Sequence, residues 1–188
     1  MNYRSRPRRT WTDPWWKDGM MTVSDTDTDV RRELLEYLEY QRASVRSIVD
    51  GLNEDAWHTP VVASGWTIAG VVEHLGGAER HWFQEVVAGL QEDQRWDEGR
   101  PPYDPARAFT CHRPLPEVLG YYRDQCDRSD QILAGVSLSD APRGRHGDEE
   151  IPNVRVVVLH MIEETAAHSG HLEIARELLD GKTGLGLR

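Results

Sequence analysis

A chain of 188 residues, 38% hydrophobic and 29% charged, is long enough to bury one sizeable core and polar enough to remain in water. Its formal charge of -10 excludes the basic surface that nucleic acid needs and disfavours an acidic membrane surface. No apolar run approaches a membrane span. The two cysteines, Cys111 and Cys126, make neither a CxxC pair nor a disulfide framework, which points to a reduced, cytoplasmic setting.

In chain order, residues 1–26 come first. Arg8 and Arg9 are followed by no apolar stretch, so no signal peptide is expected. Trp11, Trp15 and Trp16 are unusually apolar for a tail and are expected to pack over the rest of the chain or against a second copy. The first helix starts near Asp27, with Val30, Leu34, Leu38, Val45, Ile48 and Leu52 at helical steps and Gly51 as a stop. Asn53 to Gly65 is polar and carries Pro and Gly. The second helix is expected from about Thr67 to Leu90, with Ile68, Val71, Val72, Leu75, Trp82, Phe83 and Val86 on one face.

A polar connection from Gln91 to Arg113 leads to the third helix, Leu115 to Val136, where Pro116 is tolerated in the first turn. Cys126 lies in its apolar stripe and reads as core packing rather than as a nucleophile. A charged loop, Ser137 to Asn153, precedes the fourth helix, Val154 to Leu179. Nothing alternates with period two for long enough to make a strand. The expectation is therefore an all-α, four-helix bundle filling a single domain over residues 1–188, with long connections that leave the up-and-down order open.

The fourth helix contains "EETAAHSGHLEIARELLDG". At about 100° per residue, Val158, Thr165, Leu172, Ala175 and Leu179 fall within about 60° of Met161 and define a buried stripe. His168 lies about 20° from the centre of that stripe and Glu164 about 60°. Glu163 points to solvent, while His160 and His171 sit on the border. Glu164 and His168 thus share one face on adjacent turns and can grip one ion. On the second helix His74 sits between Val71 and Leu75, ahead of Gly76 and Gly77, whose presence mid-helix suggests close approach of another element. His81 lies near the edge of the stripe.

Each feature has a plain structural reading. A lone inward histidine is usually a hydrogen-bonded core residue, and a Glu/His pair at i, i+4 is usually a surface pair. Convergence raises the functional reading. In a bundle expected to offer few other buried polar groups, His74, Glu164 and His168 need a common partner, and two histidines with one carboxylate suit a catalytic zinc site with an open position.

At "VVEHLGGAERHWF" and "HMIEETAAHSGHLEIARELLDG" the chain resembles the DinB/YfiT-like family of metal-binding four-helix bundles, and within it the actinobacterial branch that includes mycothiol-dependent maleylpyruvate isomerase. The similarity extends over nearly the whole chain. Glu164 stands where many members have His, though that branch also uses Glu, and His171 stands where others have Gln. The resemblance implies His74, Glu164 and His168 as ligands of a divalent metal, a mycothiol-like thiol as cosubstrate, and a homodimer.

A metal with three protein ligands can bind and deprotonate a thiol in its open position. Zinc is expected, with Ni2+ or Fe2+ suiting the same ligands. The thiol would attack a small-molecule electrophile, giving transfer or isomerisation. His171 or His160 would act as general acid/base, each having a plain surface reading as well. Trp57, Trp66, Trp82 and Trp96 with Tyr121 would wall an electrophile pocket or simply fill core. The alternatives are a metal-dependent hydrolase using activated water, and a non-catalytic, stress-related metal-binding bundle.

Overall fold

The computed structural model describes residues 27–91 and 109–184. The packing expected of Trp11, Trp15 and Trp16, and the place of Trp96, lie outside the described residues. Among the described residues the structure is helical without strands, as the apolar periods require, with only an isolated bridge between His146 and Glu149. No described helix is long and apolar enough to cross a membrane.

Four long helices make the bundle: α1 (Asp27–Val49), α3 (Ile68–Glu79), α4 (Leu115–Ala134) and α5 (Val154–Asp180). Their ends follow local chemistry. Thr67 caps α3, its side chain accepting from the Gly70 N–H at 3.1 Å, and Asn153 does the same for α5 at Val156. Gly181 closes α5 at φ 74°, a conformation that favours glycine. A short α2 (Glu54–His58) forms inside the stretch read from sequence as a polar connection. Asn53 caps it and Trp57 is wholly buried beneath it. Five residues are too few for a helical period to show in the sequence.

The regular helix expected from Thr67 to Leu90 gives way at Glu79 to a π-helical segment, Arg80–Val87. The carbonyls of Val86 and Val87 accept from outside the helix, from the Gly144 N–H at 2.8 Å and the Arg143 N–H at 3.1 Å. Gly144 permits that approach, since a Cβ there would lie 2.0 Å from the Glu85 carbonyl oxygen. The widened turn is thus tied to docking of the α4–α5 connection, a long-range partner that no helical period reveals.

Connectivity follows from contacts at the two ends. Arg31, near the start of α1, donates to the Leu133 and Val136 carbonyls, and the start of α5 is tied to the same region by Arg155 N–H to Leu138 O at 2.9 Å. At the other end Arg176 of α5 donates to the Ile48 and Asp50 carbonyls. α1 and α5 therefore run parallel. α3 and α4 also run parallel, since Gly70 meets Phe109 and Thr110, Gly76 meets Tyr121, and the Glu79 carbonyl meets Ser129. The order is up-down-down-up.

The core falls into two clusters. One is built on Val45, Trp57, Ile68, Leu75, Tyr122 and Leu172, the other on Leu38, Phe83, Val86, Leu133, Val158 and Met161. The expectation of few other buried polar groups is corrected. Arg42, Glu73, Glu79, Gln84, Gln125, Ser129, Thr165, Ser169 and Arg176 are all buried. Most are paired internally: Arg42 grips Glu79 through two bonds of 2.6–2.7 Å, and the Gln84 amide donates to Gln125 at 2.6 Å. A charge or amide that meets its partner inside the bundle carries no signature in a single-helix projection.

Candidate metal centre

α5 turns Glu164 and His168 to its inner side, one turn apart, and α3 faces them with His74. His74 Nε2 lies 2.8 Å from Glu164 Oε1, and His168 Nε2 lies 3.3 Å from the same oxygen. One donor atom from each of the three lies within 4.8 Å of the others. Side-chain exposures of 36% for His74, 26% for Glu164 and 13% for His168 make this a half-buried cluster that solvent can reach.

Electrostatics favour the forms a metal requires. Burial raises the Glu164 pKa, but the His74 hydrogen bond and the neighbouring imidazoles of His168, His74 and His160 outweigh it and hold the group below its ordinary value. Burial, followed by the nearby His74, pushes His168 down against the upward pull of Glu164, so that its imidazole is neutral near pH 7. His168 Nδ1 is buried without a hydrogen-bond partner among the described residues. An ionised carboxylate with two imidazoles is a donor set for zinc and its neighbours. Separations of 2.8 and 3.3 Å are near those of atoms sharing an ion at about 2.0–2.2 Å. The residues fit a divalent ion.

The close approach expected at Gly76 and Gly77 occurs at Gly76 alone. A Cβ there would lie 2.6 Å from the Tyr121 ring, whereas one at Gly77 would meet nothing within 4 Å. Tyr121 packs against α3 at Gly76, and Trp57 belongs to the core. Trp66 and Trp82 flank the cluster. Trp66 lies with its ring centroid 6.1 Å from His171, and Trp82 lies 4.4 Å from His160. His171 is exposed, 5.5 Å from the His168 ring, so the two border histidines bracket the trio along α5. His81 is apart from it, paired with Glu85 and His146.

Sequence reasoning missed Phe109. Its ring stands 4.7 Å from His74 and 5.4 Å from His168, edge-on and tilted respectively, and forms an apolar wall. Its φ of 60° is rare for a residue with a side chain, and its carbonyl accepts from the Thr67 N–H at 3.1 Å. Gly70 allows the contact, since a Cβ there would lie 1.7 Å from that carbonyl oxygen. The available signal was weak, an aromatic residue in a polar connection that also carries Trp96 and Tyr103.

A bundle with such a trio between two helices is of the class that can hold a divalent ion in its interior. Comparison with known proteins narrows this. The family described as mycothiol-S-transferase matches residues 33–181, a span that includes the trio, and the chain belongs to that family. It is also 41% identical over 51 residues to a "Putative metal-dependent hydrolase" of Geobacillus thermodenitrificans (strain NG80-2), a stretch covering 27% of this chain and 29% of that protein. A protein of the same description from Geobacillus kaustophilus (strain HTA426) is 39% identical over 51 residues, again 29% of its length. The chain thus matches less than a third of either relative.

Proposed function

We propose that the protein is a metal-dependent thiol transferase or isomerase that turns a mycothiol-like thiol on a small electrophile. The observation that carries this reading is the convergence of His74, Glu164 and His168 in a member of the mycothiol-S-transferase family. A divalent ion, zinc in this reading with nickel or iron as the other candidates, would supply Lewis acidity that lowers the pKa of a bound thiol.

The chain's own residues do the rest. Glu164 contributes the negative charge, with His74 Nε2 2.8 Å from its Oε1 as a fellow ligand. His168 stays neutral and so keeps a lone pair for a ligand role. Phe109 shields one side of the two imidazoles from water. His171 or His160, one on each side of the trio, takes or returns the proton, and Trp66 and Trp82 offer apolar faces to the electrophile.

We further infer a cytoplasmic homodimer of single-domain subunits. No disulfide joins Cys111 and Cys126. Val156, Leu159, Ile174 and Leu178 lie exposed along one face of α5, a stripe suited to a second copy.

The test is turnover of a chromogenic electrophile by the full chain against mycothiol concentration, with and without a chelator. Saturation with thiol, lost on chelation and restored by zinc, is the expected result; chelator-resistant turnover sinks the metal role. A second reading, hydrolysis by activated water, draws on the description of the two Geobacillus relatives. Metal-dependent turnover with no thiol requirement would favour it. Metal without any turnover would favour a stress-related binding bundle.

A further inference from the structure

Two turns beyond His74 on the same helix, a second group of histidines is used by nothing described so far. His81 Nδ1 lies 2.6 Å from Glu85 Oε2, and His81 Nε2 lies 2.8 Å from Nδ1 of His146, in the α4–α5 connection. We propose that His81 and His146 form a second site for a divalent transition-metal ion, one that clasps the α4–α5 connection to the π-helical segment. This does not rest on the thiol-transfer reading.

Glu85 sets the tautomer. With its carboxylate accepting from Nδ1, His81 keeps its Nε2 lone pair for the far side, where His146 waits. A metal-bound imidazole is commonly steered by a carboxylate on its other nitrogen in this way. Without an ion, His146 Nδ1 must carry the proton and donate it to His81 Nε2, so metal binding requires His146 to shift to the tautomer protonated on Nε2.

The spacing suggests the kind of ion. Two nitrogens 2.8 Å apart, each about 2.0–2.1 Å from a metal, subtend an angle near 90°. That is the cis angle of square-planar or octahedral coordination, which suits Ni2+ or Cu2+. Zinc at its tetrahedral angle needs the pair to open by about 0.5 Å. Either ion needs both rings to turn slightly, so that their lone pairs meet beside the line joining them.

The frame around the pair is built. Gly144 and Arg143 tie the connection to the Val86 and Val87 carbonyls at 2.8 and 3.1 Å, two and three residues before His146. Trp82 lies against His146 with ring centroids 4.7 Å apart and planes tilted 32°. Arg80 Nε lies 3.5 Å from Glu85 Oε1, while Oε2 of the same carboxylate meets His81 Nδ1 at 2.6 Å. With two protein ligands and water for the rest, this site is weaker than the His74–Glu164–His168 site.

Titrating Ni2+ into metal-stripped full-length protein by calorimetry, with metal analysis of the product, tests the assignment. The wild type should take up two equivalents, the second more weakly. His146→Ala should keep only the tighter one, and His168→Ala should lose the tighter one while keeping the weaker. Because His146→Ala could loosen its loop, protection of His146 in the wild type from diethyl pyrocarbonate, mapped by mass spectrometry, gives a second readout. Nickel should slow that modification. A single equivalent in the wild type that His168→Ala abolishes would overturn the second site and leave the first standing. A single equivalent abolished by His146→Ala and spared by His168→Ala would do the reverse. Unprotected His146 under two-equivalent loading would also overturn it.

Discussion

Glu79 and Glu164 are both carboxylates turned into the bundle, and the protein neutralises them by opposite means. Glu79 is 1% exposed and held by two charge-assisted bonds from Arg42, at 2.6 and 2.7 Å, while Arg42 also reaches Asp130 at 2.6 Å. A guanidinium fork fills a carboxylate and has no lone pair to offer a metal. Glu164 is 26% exposed and meets two imidazoles at 2.8 and 3.3 Å. An imidazole, unlike a guanidinium, has a lone pair to offer, so this carboxylate and its neighbours can share an ion. A buried charge is thus no evidence of a metal by itself; what matters is whether its partners are donors only or can also be ligands.

The contrast can be broken by removing each partner in turn. Arg42→Ala leaves Glu79 buried and unpaired, and should cost about 3–5 kcal/mol in urea denaturation. A loss below about 1 kcal/mol would mean that Glu79 escapes to solvent and the comparison fails. Replacing both, Arg42→Met with Glu79→Leu, should recover most of the loss, because an apolar pair of similar volume often matches a buried ion pair.

The open cluster should respond to metal instead. Chelation should lower the melting temperature of the wild type. The shift should correspond to about 2.7 kcal/mol where free metal had been a hundredfold above its dissociation constant. It should leave His168→Ala, already depleted in metal, nearly unmoved. His81→Ala should keep the ion at His74, Glu164 and His168. Stoichiometric metal of wild-type affinity in His168→Ala would remove that side chain from the ligand set.

A smaller and sharper effect concerns the helix that carries His74. Gly76→Ala drives a methyl to 2.6 Å from the Tyr121 ring and should destabilise by about 1–3 kcal/mol. Gly77→Ala meets nothing within 4 Å and should stabilise by up to about 1 kcal/mol. Equal effects of the two changes would show that the α3–α4 approach is not as close as described.

The smallest effect is at Cys126, beneath the Arg42–Glu79 pair. Burial, then the Glu79 charge, pushes its thiol far above the ordinary range. Alkylation at pH 8, mapped by mass spectrometry, should be slower at Cys126 in the folded protein than in urea. Equal rates would indicate that this part of the core opens readily.

Much of this was legible in the chain. The 3.6-residue periods placed three of the four long helices to within a few residues at each end, and the start of α3, whose regular turns stop at Glu79 rather than near Leu90, because each buries one continuous apolar stripe. The same geometry turned Glu164 and His168 inward, since two positions on one rigid helix have a fixed relation whatever packs against them. That His74 faces them, and not some other side of the bundle, was decided by the parallel run of α1 with α5 and of α3 with α4, which no local period encodes. Tertiary contacts also decided the Arg42–Glu79 pairing, the wall made by Phe109 at φ 60° and the π-helical turn that receives Gly144. Each depends on groups from distant parts of the chain meeting at hydrogen-bond range, and sequence periodicity reports only what one element buries, not what it buries it against.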